Sequence, residues 1–380
     1  MKIVLLILSL LILNSGAFAD GLSLEQVRTL ALLNSRSLAR SNIAIENSLL
    51  DERNQFYSML PSISLRYSAS ANYMDNDFNF INPIDSFNSS ANLSITQTLF
   101  NGGRDFILRE INQIATESTR REALAEYFSV LDSADSAYYA VLEAAAALEA
   151  EESSLQTALF GLSMAEIRQA SGMINQGDYL RALADKEVRE NSRNQARRNL
   201  SLSMARLMVI TGLDDLPYLQ GIDLGKYEEL ILFLGNIDDL EADLIFDRFW
   251  AVLAASNPSL TRASLNNKRA ELNHSLTRRD PAPTLSASIF SGSIGYSTER
   301  GLGYSSGGGL SITGSIPIDF WVFSNRLEKS RNALDTASMD YRNTEINLEI
   351  ELYSVLLSTF GNAGSVLSTR RTLDYAEMHF

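Results

Sequence analysis

The chain has 380 residues, 46 acidic against 32 basic, for a net charge of -14, with 45% hydrophobic residues and no cysteine. Nothing in so acidic a chain offers a broad basic face to neutralise phosphates, which argues against a nucleic-acid partner. Without cysteine there are no disulfides and no lipidated N-terminal cysteine.

Lys2 precedes an apolar run from Ile3 to Leu13, and Ala17-Phe18-Ala19 ends the stretch with a small-x-small pattern. These features read as a secretory signal peptide over residues 1–19. The other reading, a transmembrane anchor, is opposed by a run too short to span a bilayer and the lack of a basic flank after it. No later run of about 18 apolar residues occurs, so any membrane crossing falls to strands.

Ser23 and Gln26 predict a capping box at the start of a helix that ends near Leu60-Pro61. Strict alternation follows. Ile63, Leu65, Tyr67, Ala69, Ala71 and Tyr73 fall on one face, and Ser62, Ser64, Arg66, Ser68, Ser70 and Asn72 on the other. After a polar loop, a second alternating run passes through Ala91, Leu93, Ile95 and Leu99, so residues 62–100 read as a β-hairpin. From Arg104 to Ala170 there is no proline, and Gly161 is the only glycine. Steps of three and four link Tyr127, Val130, Ala134, Ala137, Val141, Ala144 and Leu148, then Glu151, Leu155, Ala158, Leu162 and Ala165. That is a coiled-coil seam, and at ~1.5 Å per residue such a helix reaches about 100 Å. Gly172 and Gly177 break the pattern before helical composition resumes, giving a coiled-coil hairpin over 104–212.

The order of features then repeats. Leu93-Ser94-Ile95-Thr96 recurs as Leu310-Ser311-Ile312-Thr313, Leu60-Pro61-Ser62 is echoed by Ala282-Pro283-Thr284, and a second helix start stands at "FSNRLEKSR". Residues 20–213 therefore read as a first repeat, 214–246 as an inter-repeat, equatorial segment, and 247–380 as a second repeat with a β-hairpin over 284–318. The second copy stops at Phe380, where the first is about to reach Gly172, so a truncation before a second tip and its return helix is expected.

Four long alternating strands in an exported chain suit an outer-membrane barrel but cannot close around a lumen alone; three chains supply twelve. Each hairpin feeds a helix, so the expected fold is mainly α with transmembrane β, a 12-stranded barrel continued by a helical barrel. Asn101, Gly102 and Gly103 form the first strand-to-helix junction, with Pro317 at the corresponding place in the second copy. Phe100, Phe320, Trp321 and Phe323 suit an aromatic girdle at the membrane boundary. The competing reading is a soluble hairpin on a helical bundle with these aromatics as core.

On "LSLEQVRTLALLNS", "TQTLFNGGRD", "LSMARLMVITGL" and the doubled strand-to-helix junction, the mature chain resembles the TolC-type outer-membrane efflux protein family. Within "RQASGMINQGD", Arg168, Gly172, Met173 and Asp178 keep the spacing of the family's adaptor-docking tip, with Ser171 in place of a valine and Met173 in place of a leucine. The resemblance implies a homotrimeric conduit in the outer-membrane lipid, a periplasmic adaptor (membrane fusion) protein, and an inner-membrane transporter of RND, ABC or MFS type that supplies the energy. It implies no enzyme activity and no cofactor. Asp178 is expected to cap the returning helix, to join an acidic ring at the periplasmic gate, or both. Rival readings are a periplasmic coiled-coil scaffold and an inactive remnant of the channel.

Other signals are weaker. Gly303-Tyr304-Ser305-Ser306-Gly307 fits a G-x-S-x-G nucleophile pattern but lies in a hairpin loop before a strand, the wrong context for an elbow. His274 and His379 are far apart and lack clustered carboxylates, leaving little basis for a triad or a zinc site.

Overall fold

The structure, a computed structural model, describes residues 21–72, 86–291, 294–297, 301–304 and 308–378. The expected signal peptide lies outside them, as does the polar loop as far as residue 85. Contacts divide the chain into two discontinuous units. One comprises the residues up to Ser41, Ala123–Asp238 and those from Ser358; the other comprises Asn42–Glu122 and Asp239–Leu357.

In the first unit, α1 (Leu24–Asn34) starts with the anticipated capping box, Ser23 accepting from the Gln26 amide and Gln26 returning a bond to the Ser23 amide. The single helix expected to run to Leu60-Pro61 is in fact two. Ser35 takes an extended conformation, and α2 (Arg36–Tyr57), most of which belongs to the second unit, follows after it. The Ser35 hydroxyl accepts from the Leu38 amide, so a serine acting locally as an N-terminal cap restarts the helix with no glycine or proline.

The long helix α3 (Arg104–Ala170) and its return α4 (Gln176–Thr211) match the predicted coiled-coil hairpin to within two residues. Val27 and Ala31 of α1, Ala134, Tyr138 and Val141 of α3, and Leu207 of α4 share one core with Leu22 and Leu219. The small side chains at 31 and 134 suit close helix approach. Tyr138, buried among them, donates its hydroxyl to the Gln220 carbonyl, and burial raises its pKa. Arg28 forks onto Asp135 with contacts of 2.7 and 2.6 Å, which raises the guanidinium pKa and ties α1 to α3. At the end of α4, Gly212 adopts φ 74°, and Asn34 donates to the carbonyls of Val209 and Ile210. This is the Gly-Leu ending seen in "LSMARLMVITGL": the last turn of α4 is closed by the last residue of α1. The segment after α4 contains α5 (Glu228–Gly235), preceded by a 3-10 turn.

In the second unit, α6 (Asp239–Ser256) and α7 (Pro258–Arg278) repeat the α1/α2 pair, with Asn257 as the cap that restarts the chain. The sheet contains β1 (Ser62–Asn72), β2 (Ser86–Asn101), β3 (Thr284–Phe290), β4 (Ile294–Ser297), β5 (Gly301–Tyr304) and β6 (Gly309–Ser315). All pairings are antiparallel: β1 with β2, β2 with both β3 and β4, β3 with β6, and β4 with β5. These pairings form four strand rows, because β3 with β4 and β6 with β5 are two long strands interrupted partway. The segment read as a hairpin loop thus contributes β4 and β5. The helix α8 (Phe320–Glu377) begins three residues before "FSNRLEKSR".

Register sorts the sheet into two faces. Ile95 opposes both Ile63 and Ile289, and Leu65 opposes Leu93. On the other face hydroxyls pair across strands: Ser64 with Ser94 at 2.8 Å, Ser68 with Ser90 at 2.9 Å, and Thr96 with Ser288 at 3.1 Å. The apolar side chains stay open, with Ile63 71% and Leu65 74% exposed.

Replacing Leu207, fully buried in the first core, by alanine is expected to cost about 2–5 kcal/mol. A lower urea midpoint of the purified protein checks this; an unchanged midpoint would show that the core lies elsewhere.

Candidate functional site

The turn between α3 and α4 and the helix ends that flank it carry the residues assigned to the docking tip. The Gly172 amide donates to the Gln169 carbonyl at 2.9 Å and the Met173 amide to the Arg168 carbonyl at 2.8 Å, with Gly172 at φ 73°. This bond pair is a Schellman ending, which requires a left-handed residue at the position of Gly172. Arg168, Ser171, Gly172, Met173 and Asp178 are all exposed. A β-carbon built on Gly172 would meet no atom within 4 Å. The space over that turn is therefore open to a partner.

The expected capping role of Asp178 is corrected by the structure. Asn175 is the N-cap of α4, its side chain accepting from the Asp178 amide at 2.9 Å. Asp178 is the third residue of the helix, where its carboxylate complements the helix dipole and lies 3.5 Å from Arg181. An N-cap accepts from an amide two or three residues ahead, so Asn175 outcompetes an aspartate already inside the helix.

The strand-to-helix junction is enclosed. Gly102 and Gly103 take φ 70° and 73°, and a β-carbon on Gly102 would lie 2.5 Å from that of Ala282. Arg279 donates to the carbonyls of both glycines, at 3.3 and 3.1 Å. Beside it Asp280, its side chain 19% exposed, binds Arg104 at 2.5 Å and Arg326 at 3.5 Å. Arg104 opens α3 and Arg326 lies in the second turn of α8, so the helix starts of both repeats converge on one carboxylate. Neither Arg279 nor Asp280 was legible as a junction residue, since nothing in "LTRRDPAPT" marks which repeat it contacts. Pro317 lines a small cavity of about 100 Å³ with Asp280, Pro281, Asp319 and Arg326. It lies after the end of β6, in the irregular link to α8.

A bulge explains the placement of Phe100. Thr98 opposes Ser286 while Phe100 opposes Leu285, so Leu99 is an inserted residue. One extra residue reverses the alternation. Phe100 thereby joins the apolar face and Asn101 the hydroxyl face, opposite Thr284. Gln97, on the apolar face by register, turns its amide to the Met59 carbonyl at 2.9 Å and so is satisfied there. Phe100, Phe320 and Trp321 are exposed rather than core. His274 bonds Ser330 through Nδ1 at 2.9 Å, and among the described residues no cluster could hold a metal ion. In the serine-nucleophile pattern, Gly303 and Tyr304 lie in β5, and its serines fall outside the described residues.

Gly102 and Gly172 share a backbone conformation but differ in surroundings. A left-handed non-glycine residue costs about 1–2 kcal/mol, so Gly172→Ala should lower stability by no more than that. Gly102→Ala should cost more because it also meets Ala282. Urea midpoints of the two variants check the order; equal midpoints would remove the role given to Ala282.

Residues 27–213 match the family described as outer membrane efflux protein. None of the curated protein sequences matches the chain. Among solved structures, the outer membrane protein VceC from Vibrio cholerae superposes with a TM-score of 0.71 at 15% identity, over 93% of this chain and 83% of that one. The CmeC outer membrane channel of Campylobacter jejuni gives 0.68 at 16% identity, over 93% and 76%. A membrane protein from Pseudomonas aeruginosa gives 0.66 at 18%, over 88% and 76%. Residues 27–213 thus carry the sequence of the outer membrane efflux protein family, and the chain as a whole shares the fold of the TolC-type outer-membrane channels.

Proposed function

We propose that three copies of this chain form a passive outer-membrane channel that extends into the periplasm and serves a tripartite efflux or type I secretion system. The observation that carries this reading is the sheet. It has an open apolar face, a hydroxyl face, and two edges, β1 and the β6/β5 row, that pair with no other described strand. An exposed apolar face suits lipid, a hydroxyl face suits a water-filled lumen, and unpaired edges close when identical chains join edge to edge. Four strand rows per chain then give twelve. A conduit needs no reacting side chain, and energy would come from an inner-membrane transporter.

The α3–α4 turn is the surface we assign to a periplasmic adaptor, with Arg168, Ser171, Gly172, Met173 and Asp178 as contact residues. Its support is the bare backbone at Gly172, flanked by an exposed methionine and charges of both signs. A partner's helical tip can approach such a turn closely. Asp178 would add a negative charge to the trimer's periplasmic mouth, where a ring of carboxylates favours cations.

Two measurements test the reading. The protein should fractionate with the outer membrane, resist carbonate extraction, and run as a discrete trimer in detergent by light scattering; a carbonate-soluble monomer would favour the soluble scaffold instead. Gly172→Trp should abolish export while leaving that trimer intact, and unchanged export would remove the docking role from the turn.

A further inference from the structure

The described strands carry one charged residue among them, Arg66, at the fifth position of β1. Its register partner is Asn92 of β2, and its neighbours on the same face are Ser64 and Ser68, whose hydroxyls bond Ser94 and Ser90. Arg66 therefore projects from the hydroxyl face, which is the lumenal one if the channel reading holds, and this inference rests on that reading. It is exposed and makes no ion pair with a described residue. β1 is also a free edge. In a closed ring of identical chains it pairs with the β6/β5 row of the next copy, and the described residues of that row are Gly, Ser, Thr, Tyr, Leu and Ile, with no carboxylate. The guanidinium thus has no counter-ion among the described residues of either neighbouring strand.

We infer that Arg66 is the selectivity-determining residue of the barrel section: three copies form a positive ring in an otherwise hydroxyl-lined lumen, and this ring favours anionic solutes. Serine and threonine hydroxyls donate and accept without a preferred sign of charge, so they pass either ion. Isolated arginines facing water in a pore supply the sign. An arginine cannot be neutralised at ordinary pH, so the preference holds across the physiological range. The effect is electrostatic and falls with salt, the Debye length shrinking from about 10 Å at 0.1 M to about 3 Å at 1 M.

The full chain, purified and inserted into planar bilayers, provides the test through reversal potentials under a KCl gradient. At 0.1 M, Arg66→Ser should lower the chloride-to-potassium permeability ratio at least about twofold and Arg66→Glu further still, with smaller differences near 1 M. Because the chain has no other cysteine, Arg66→Cys allows the charge to be changed on a channel already inserted. A positively charged thiol reagent should restore the wild-type reversal potential, and a negatively charged one should move it towards that of Arg66→Glu. Conducting channels whose reversal potential ignores both reagents would overturn the role of Arg66 and leave the conduit standing. Absence of any conductance from the wild-type chain would overturn the conduit reading and this inference with it.

Discussion

A strand that must leave a sheet and become a helix within two residues imposes the constraint on which the second unit depends. Sheet twist and helix handedness leave no room for a loop there, and two successive left-handed residues make the turn. Gly102 and Gly103 supply that conformation, Arg279 holds their carbonyls, and Asp280 draws in the arginines of both repeats. A mostly buried carboxylate, even between two arginines, is weak evidence of stability, because desolvation offsets the attraction. Its value here is geometric: one carboxylate fixes the starts of α3 and α8 against each other, so both helices leave the sheet in a defined register.

The first unit solves a different problem. Long helices cannot bury themselves by length alone, and the core shared by α1, α3 and α4 is narrow, made of alanines, valines, Leu207 and one tyrosine whose hydroxyl is satisfied by a backbone carbonyl. Many large apolar side chains on the same helices remain exposed, among them Phe160, Ile167 and Val209. Exposed apolar stripes of this kind mark surfaces that partners cover. In the proposed trimer, assembly therefore belongs to the fold's energetics and is not an addition to a finished subunit.

Much of this was legible because period carries so much information. Alternation at Ile63, Leu65 and Tyr67, the three-four steps through Ala134 and Val141, and the recurrence of Leu-Ser-Ile-Thr fix strand, helix and repeat with no knowledge of contacts. The losses came where one residue acts against the period. Ser35 splits a helix by bonding the Leu38 amide, Leu99 shifts a strand by one residue and so turns Phe100 to the apolar face, and Asn175 takes the cap expected of Asp178. Each is a local hydrogen-bond choice that composition leaves open. Asp280 escaped for another reason: its partners are 176 and 46 residues away, and a charge in sequence does not name its partner.

The two glycine turns separate what serves the fold from what is proposed to serve a partner. Gly102 is required by its conformation and by Ala282, so the molecule itself explains it completely. Gly172 is required by its conformation as the end of α3, and asparagine is a common alternative at such a position. No described residue contacts the space over Gly172, so internal packing among them does not call for a residue without a side chain there. Beside it Met173 is 76% exposed, an apolar side chain that internal packing leaves uncovered. A bare backbone next to an uncovered methionine, at the end of a 67-residue helix, is what the docking role proposed for this turn calls for.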